Sequence, residues 1–407
     1  MASPKTKAPL ARPIYLDNAA STPMDERVIA AMVACLGVSG TFGNSASKDH
    51  VYGWEAAEVV EAARDAIASA VGCSPLELIF TSGATESNNL ALRGLCLGLK
   101  EQALAEGATP RTHIVTTTVE HKAVLECCEQ LEHEGFRVTY LKPRRDGTVT
   151  PEMLTEVLTP DTCLVSISQA NSVLGSLNDM EALAQVARAV GAYYHSDCAQ
   201  SNGLLDLDLA HSAVSMVTLT PEKIYGPKGV GALYLRRADN LPIKPMIVGG
   251  GHEKGLRGGT LATHQIAAMG KAFELMAKER AAVTTHVSAL RDQLIAGLKQ
   301  IPNAQLNGYL DPNDLSSTPH LPGIVSVSFT GINGQYLLPS LRQVACSTGS
   351  ACSSKELKPS YVLTEIGLSD DLARASLRLS LGRFTTAEDI RTALAAITTT
   401  VAALKSA

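Results

Sequence analysis

From about residue 75 onward, short runs rich in β-branched residues alternate with stretches of helical periodicity. The runs predicted as strands cover residues 77–81, 113–117, 137–141, 163–168, 192–195, 214–219 and 231–236. Between several of them lie amphipathic segments such as residues 180–190, whose apolar side chains recur at helical spacing. Strands that alternate with helices require crossover connections and a sheet covered on both faces. The alternation therefore predicts an α/β fold with a large, mostly parallel seven-stranded sheet.

A second, smaller unit is predicted toward the C-terminus. A long helical pattern over residues 265–299 forms a bridge to a proline-rich stretch, a strand at residues 324–329 and a last helix at 386–404. We therefore expect a large domain over residues 25–275 and a small α+β domain formed by residues 1–24 and 276–407. Near the N-terminus, Thr22 followed by Pro23 predicts a helix that has Thr22 as its N-cap.

Composition excludes several classes of protein. The formal net charge of −5 disfavours a dedicated binder of nucleic acid or anionic membranes. Residues 1–13 lack the apolar core of a signal peptide, and the longest uncharged stretch is interrupted by prolines, so we expect a soluble, cytoplasmic protein. The nine cysteines include no Cys-x-x-Cys pair or His/Cys cluster, which argues against both a disulfide framework and a metal site.

The sharpest local motif is Ser82-Gly83-Ala84-Thr85-Glu86-Ser87, which follows a predicted strand and opens a helix. Glycine permits a tight turn, and the N–H groups at a helix start attract anions. Gly83, Ala84 and Thr85 are thus candidate phosphate-binding residues. An ordinary strand–helix turn explains the motif equally well.

Three further candidates follow predicted strands. Lys223, in a loop rich in glycine and proline, can form a Schiff base with a carbonyl cofactor, although Lys228 in the same loop is a rival. Asp197, with Gln200 three residues later, can hold a pyridine nitrogen protonated, or it can cap the next segment. His121 can stack on a flat cofactor and move protons, although a lone histidine is more often structural.

Two candidates lie in the C-terminal part. Cys352 stands in a run of small residues, where a thiol can reach a site and act as a nucleophile, or can be an incidental exposed cysteine. Arg378 alternates as a strand residue and can bind a substrate carboxylate through its fork, or can form a surface ion pair. Each motif is weak alone, but together they describe the binding of one cofactor, pyridoxal 5'-phosphate.

With these residues in place, the chain resembles the cysteine desulfurases, fold-type I pyridoxal-phosphate enzymes of the class V aminotransferase group. The similarity runs from Tyr15-Leu16-Asp17 to Ser380-Leu381-Gly382-Arg383-Phe384-Thr385. Other matching segments are Phe42-Gly43-Asn44, Gly53-Trp54, Glu120-His121-Lys122-Ala123-Val124 and Gly249-Gly250-Gly251-His252-Glu253. Ser350-Ala351-Cys352, followed by Lys358-Pro359-Ser360-Tyr361-Val362-Leu363, resembles the long-loop subgroup that supplies iron–sulfur assembly.

The resemblance implies a role for each candidate. Lys223 would hold the cofactor as a Schiff base, Cys352 would take the substrate sulfur as a persulfide, and His121 would stack and shuttle protons. Arg378 and Asn171 would bind L-cysteine, whose carbon skeleton leaves as alanine. The remaining cofactor-binding residues implied are Gly83, Ala84, Thr85, Ser172, Asp197, Gln200, Thr220 and, from the second subunit of a homodimer, Thr260. The sulfur would pass to an acceptor protein such as an iron–sulfur scaffold.

The chain also departs from the family pattern. Glu222 stands where a histidine usually precedes the Schiff-base lysine and helps to bind phosphate, and Ser172 replaces an asparagine that contacts the cofactor ring oxygen. A carboxylate close to a phosphate dianion repels it, by about 4 kcal/mol for a close pair at intermediate dielectric. We therefore expect looser cofactor binding than is usual in the family. The departures leave other reactions open: selenocysteine lyase, another pyridoxal-phosphate amino-acid lyase or racemase, or a catalytically impaired paralogue in sulfur trafficking.

Overall fold

The computed structural model describes residues 12–349 and 358–405. Its strands in chain order are β1 Ile14–Tyr15, β2 Leu78–Thr81, β3 His113–Thr117, β4 Arg137–Leu141, β5 Thr162–Ser166, β6 Tyr193–Asp197, β7 Met216–Leu219, β8 Gly231–Leu235, β9 Ala304–Asn307, β10 Ile324–Phe329, β11 Val344–Ala345 and β12 Ser376–Ser380. Its α-helices are α1 Glu26–Val33, α2 Val51–Val71, α3 Ala84–Asn89, α4 Leu95–Ala105, α5 Lys122–His133, α6 Pro151–Val157, α7 Met180–Ala189, α8 Thr263–Leu298, α9 Gly334–Ser340, α10 Tyr361–Glu365, α11 Asp370–Arg374 and α12 Ala387–Lys405.

Seven strands form the large sheet, in the spatial order β2-β8-β7-β6-β5-β3-β4. Only β8 runs antiparallel to its neighbours, β2 and β7, and all the other pairs are parallel. The predicted mostly parallel seven-stranded sheet is thereby confirmed. The predicted strands at 113–117 and 137–141 match β3 and β4 at both ends.

Alternate residues of the central strands enter two different apolar clusters. Val115 in β3 and Val165 in β5 belong to the larger cluster, whereas their neighbours Ile114 and Leu164 belong to the second. All four are fully buried. Because successive side chains of a strand point to opposite faces, both faces of the sheet are covered. Both β3 and β5 are therefore buried along their whole length.

The C-terminal part adds a three-stranded antiparallel sheet of order β12-β10-β9, which confirms the predicted α+β unit. The long helix α8 packs against α1 and α2 and also against α12 and β10. The larger apolar cluster runs without interruption from Val217 in the large sheet to Val327 in the small one. The domain limits at residues 25–275 and 276–407 therefore stay a prediction. Of the helices in the described ranges, none is long and apolar enough to cross a membrane.

The predicted start of the first helix is wrong. Helix α1 begins at Glu26, and its N-cap is Asp25, whose carboxylate accepts from the Arg27 N–H. The Thr22 hydroxyl instead donates to the Glu222 carbonyl at 2.8 Å and accepts from the Tyr225 N–H at 2.8 Å. A tertiary partner thus uses the hydroxyl that the local pattern assigned to capping.

Candidate active site

A cavity of about 570 Å³ opens where the parallel strands of the large sheet end. His121 follows β3, Asp197 ends β6 and Thr220 follows β7. Open α/β sheets bind ligands at this edge, because the loops after the strands meet there. The predicted residues that line the cavity are Gly83, Ala84, Thr85, His121, Asn171, Ser172, Asp197, Gln200, Thr220, Lys223 and Arg378.

Two predicted residues are not in this lining. Thr260 is exposed in the loop before α8 and does not line the cavity of its own chain. Cys352 lies outside the described residues. Gly349 and Tyr361 line the cavity, and in the sequence they stand before and after the segment that contains Cys352.

Lys223 is the lysine of its loop that faces the cavity. Its Nζ donates to the Ala20 carbonyl at 2.6 Å and lies 2.8 Å from Oε1 of Glu222. The rival Lys228 is exposed and does not line the cavity. The geometry therefore distinguishes Lys223 from Lys228, between which the sequence alone did not decide.

The loop after Lys223 is held by contacts with residues near both ends of the chain. Tyr225 has a φ of 66°, which is uncommon outside glycine, and its hydroxyl accepts from the Arg383 N–H at 2.6 Å. The Arg383 guanidinium lies 4.2 Å from the centre of the Tyr225 ring. A Cβ on Gly226 would come within 2.4 Å of Pro221 Cβ, so the turn requires glycine. These contacts fix the backbone from which Lys223 projects.

Asp197 is held by two N–H donors. Its Oδ1 accepts from the Ala199 N–H at 2.9 Å, and its Oδ2 accepts from Nδ2 of Asn88 at 2.8 Å. Gln200 donates from Nε2 to the Ala19 carbonyl at 2.9 Å. Its Oε1 has no hydrogen-bond donor among the residues that the structure describes.

His121 lines the cavity and also caps α5. Its Nδ1 accepts from the Ala123 N–H at 3.1 Å. A neutral ring with Nδ1 as acceptor carries its proton on Nε2. The cap therefore fixes the tautomer, and Nε2 is the atom from which His121 can give a proton.

The turn before α3 offers donors for an anion. Gly83 has φ 146°, in the region that favours glycine. The Ser82 N–H is already used by Oε2 of Glu86 at 2.7 Å, but the N–H groups of the first helical turn have no carbonyl partner within the helix. Within the described ranges, no side chain or backbone group hydrogen-bonds the hydroxyl of Thr85 or Thr220.

Arg378 is oriented by two acceptors and keeps part of its fork free. Nη2 donates to Oδ1 of Asp17 at 2.8 Å, and Nη1 donates to the Ser172 carbonyl at 3.0 Å. Its Nε is buried without a partner among the described residues. Asn171 is mostly engaged in a turn, because its Oδ1 accepts from the N–H groups of Val173 and Leu174. Sequence reasoning assigned no role to Asp17, although it quoted the segment that contains it.

Glu120, next to His121, is a buried carboxyl group that titrates near neutral pH. Burial raises its pKa to about 7, although it accepts from the Thr117 hydroxyl and from the Ser168 N–H. Because the folded pKa lies above the unfolded value, this group stabilises the fold fully below about pH 4.5, and the contribution is lost as the pH rises through 7.

We therefore expect Glu120→Gln to flatten the pH dependence of stability. Relative to the wild type, the variant should gain about 2 to 3 kcal/mol between pH 5 and pH 8, measured by urea unfolding at both values. Glu126→Gln, which changes an exposed carboxylate of α5, is the control and should follow the wild type. Equal pH dependence in wild type and Glu120→Gln would contradict the prediction.

The chain is similar to known proteins over most of its length. The chain matches the model of the aminotransferase class-V family over residues 14–392. Cysteine desulfurase IscS of Acinetobacter baumannii (strain AYE) is 46% identical over 380 residues, which cover 93% of this chain and 90% of that protein. The solved structure of a NifS-like protein has a TM-score of 0.84 at 32% identity and covers 96% of this chain and 100% of its own. The structure titled SspA in complex with cysteine has a TM-score of 0.77 at 35% identity, with coverages of 91% and 99%. The chain therefore belongs to the class-V aminotransferase family and, within it, to the cysteine desulfurases.

Proposed function

We propose that this protein is a pyridoxal-phosphate-dependent cysteine desulfurase, which converts L-cysteine to L-alanine and passes the sulfur to an acceptor protein. The observation that carries the proposal is the position of the Lys223 amine in a cavity that also contains Asp197, the Gly83 turn and Arg378. An amine, a carboxylate for a ring nitrogen, an anion cradle and an arginine for a carboxylate are the groups that this cofactor and an amino acid require.

The donor set of the cavity fits pyridoxal 5'-phosphate. The Lys223 amine can bind its aldehyde carbon, Asp197 its pyridine nitrogen and Gln200 its ring hydroxyl. The N–H groups after Gly83 and the free hydroxyls of Thr85 and Thr220 can bind its phosphate. Glu222, which also lines the cavity, opposes this fit, because its carboxylate carries the same sign of charge as the phosphate.

When bound, the cofactor supplies an electron sink that weakens bonds at the α-carbon of an amino acid. Arg378 binds the substrate carboxylate through Nε and the free part of its fork, and Asp17 orients that fork. With the cofactor bound, the amine of Lys223 would move a proton at the substrate α-carbon, and Nε2 of His121 would supply the proton that the carbon takes up when the carbon–sulfur bond breaks.

The sulfur step is assigned to Cys352. Its thiolate attacks the substrate sulfur, so that a sulfur–sulfur bond forms while the carbon–sulfur bond breaks. The electron pair of the broken bond remains on the substrate carbon and takes up a proton, which leaves alanine. The persulfide on Cys352 then passes to the acceptor, for which an iron–sulfur scaffold is the leading candidate.

The direct test is incubation with L-cysteine and a reductant, with alanine and sulfide measured together. Desulfuration predicts equal yields of the two products. Pyruvate with ammonia would indicate β-elimination instead, and D-alanine would indicate a racemase. Purified protein that carries the cofactor but turns nothing over would support an impaired trafficking paralogue.

A selenocysteine lyase is distinguished by the role of Cys352. If Cys352→Ala still released sulfide or selenide at the full wild-type rate, the thiol would not be the acceptor and the lyase alternative would be favoured. A desulfurase should lose its persulfide in this variant.

The proposed homodimer is supported by an apolar surface that runs from the end of α1 to the start of α2. Its exposed apolar side chains are Val33, Leu36, Val38, Phe42, Val51, Tyr52 and Trp54. Val38 is 96% exposed, which is costly for an isolated chain unless a partner covers it. The loop that contains Thr260 is tied to the cavity rim by Arg257, whose Nε donates to Oε1 of Glu86 at 3.0 Å. A second copy of this chain is the occupant that we propose for the apolar surface.

We expect the double variant Val38→Glu/Trp54→Glu to be monomeric. Burying two unpaired carboxylates opposes association, so the dissociation constant should rise by about 100-fold or more. Light scattering across a concentration series measures the change. Leu104→Glu, at an exposed apolar position at the end of α4, is the control and should remain dimeric. A double variant that stays dimeric at the lowest concentration would place the interface elsewhere.

Glu222 should weaken cofactor binding through two effects. Its carboxylate lies 2.8 Å from Nζ of Lys223 and so engages the amine that must attack a carbonyl, and its charge opposes the phosphate. Because Glu222 is partly solvated, we expect Glu222→Gln or Glu222→His to tighten cofactor binding by about ten-fold rather than by the full close-pair value. Retention during dialysis against a carbonyl-trapping amine measures this change. Glu26→Gln, at an exposed position, is the control. Retention in Glu222→His equal to that of the wild type would contradict the prediction.

A further inference from the structure

A line of buried polar side chains leads from Asp197 into the large sheet. Nδ2 of Asn88 donates to Oδ2 of Asp197 at 2.8 Å, and Oδ1 of Asn88 accepts from the Thr218 hydroxyl at 2.7 Å. The Thr218 hydroxyl lies 3.1 Å from Nε2 of His195, and Nδ1 of His195 lies 2.9 Å from the Ser166 hydroxyl. Asn88, Thr218 and His195 are fully buried, and Ser166 is nearly so.

The strand register brings these side chains together. Ser166 in β5 pairs with His195 in β6, and Asp197 in β6 pairs with Thr218 in β7. His195 and Asp197 are two residues apart in one strand, so their side chains lie on the same face of the sheet. Helix α3 packs against β7 and contributes Asn88. The line therefore crosses three adjacent strands and the helix that follows the Gly83 turn.

The protons of this line can be placed in only one way if no two hydrogen-bond acceptors are to face each other. The Asn88 amide must turn its NH₂ to the carboxylate, so its oxygen receives the only Thr218 proton. Thr218 must then accept from Nε2–H of His195, and the bare Nδ1 of that ring accepts from Ser166. Burial lowers the pKa of His195 to about 3, so the ring stays neutral as this arrangement requires. Every hydrogen bond in the line therefore points toward Asp197.

We propose that Thr218 and His195 are positioning residues that act on Asp197 through Asn88. His195 in its Nε2–H form directs the Thr218 proton to Asn88, and this fixes the amide so that an N–H, and not an oxygen, faces the carboxylate. Without this direction the amide can turn over and place its oxygen against Asp197, which repels the carboxylate and displaces it. The line thus sets the angle at which Asp197 meets a ring nitrogen, and in this respect the inference rests on the proposed function.

The test is Thr218→Val, which keeps the shape of the side chain and removes the hydroxyl. Thr116→Val is the matched control, because Thr116 is equally buried in the same sheet and donates to the Ser166 carbonyl at 2.8 Å, outside the line. Apoprotein titrated with pyridoxal 5'-phosphate gives the affinity, and the absorbance of the bound cofactor is followed against pH. We expect Thr218→Val to bind about ten-fold more weakly and to shift the pH midpoint, whereas Thr116→Val does neither.

Thr218→Val that folds, binds and titrates like Thr116→Val would overturn the inference while the proposed function stands. Wild-type protein that binds no cofactor would instead overturn the proposed function. A measurement on wild-type protein does not depend on the folding of Thr218→Val. In ¹⁵N-histidine NMR, His195 should be neutral with its proton on Nε2, its signals being assigned by their change in Ser166→Ala. A proton on Nδ1, or a charged ring at pH 6, would also overturn the inference.

Discussion

We expect Lys223→Ala to abolish desulfuration, with a loss of at least about 10³-fold in the rate of alanine formation, since it removes a covalent nucleophile. The amine of Lys223 is the one in its loop that faces the cavity, 2.6 Å from the Ala20 carbonyl. Without it we expect the cofactor to lack its covalent attachment and the substrate carbon to lack its proton acceptor. Borohydride reduction followed by peptide mapping measures the attachment, and alanine release measures the rate.

Lys228→Ala is the control for this experiment, because Lys228 has the same charge, stands in the same loop and is exposed. It should keep the attachment and nearly the full rate. An adduct on Lys228, or on no lysine at all, would contradict both the assignment and the proposed mechanism, although the fold would be unaffected.

The large sheet could be predicted from the sequence because its signals are local. Most strands are short runs rich in β-branched and apolar residues between helical patterns, because burial on both faces of the sheet favours such residues. The order of the strands and the antiparallel direction of β8 are not local, since they depend on which runs pair in space. The Thr22 cap failed for the same reason, because its hydroxyl is used by a loop about two hundred residues away.

The sequence predicted the candidate functional residues, but it did not predict the residues that hydrogen-bond to them. The sequence indicated Lys223, Asp197 and Arg378 by residue type and by their position after or within a predicted strand. The groups that orient them, such as Asn88 for Asp197 and Asp17 for Arg378, are 109 and 361 residues distant in the chain. Their residue types are ordinary for a helix and an N-terminal segment, so only the tertiary contacts identify them.

Arg378→Ala should raise the KM for L-cysteine by about 100-fold or more. The guanidinium offers charge-assisted hydrogen bonds to the substrate carboxylate, each worth about 1.5–3 kcal/mol. Its loss also leaves the Asp17 carboxylate in the cavity without the partner that now lies 2.8 Å away. Steady-state kinetics of alanine formation separates KM from kcat, and we expect the larger change in KM.

Asp17 supplies a sharper test of the same assignment, because the two effects of removing Arg378 can be separated. Without the Arg378 guanidinium, the Asp17 carboxylate repels the substrate carboxylate. The double variant Arg378→Ala/Asp17→Asn should therefore have a KM about ten-fold lower than that of Arg378→Ala. Arg374→Ala, which removes a surface arginine paired with Asp370 and Asp371, should leave KM unchanged. If Arg378 contacted some other part of the substrate, removing the Asp17 charge would bring no recovery. An unchanged KM with a lowered kcat in Arg378→Ala would show that the guanidinium supports the fold of the cavity rather than the carboxylate of the substrate.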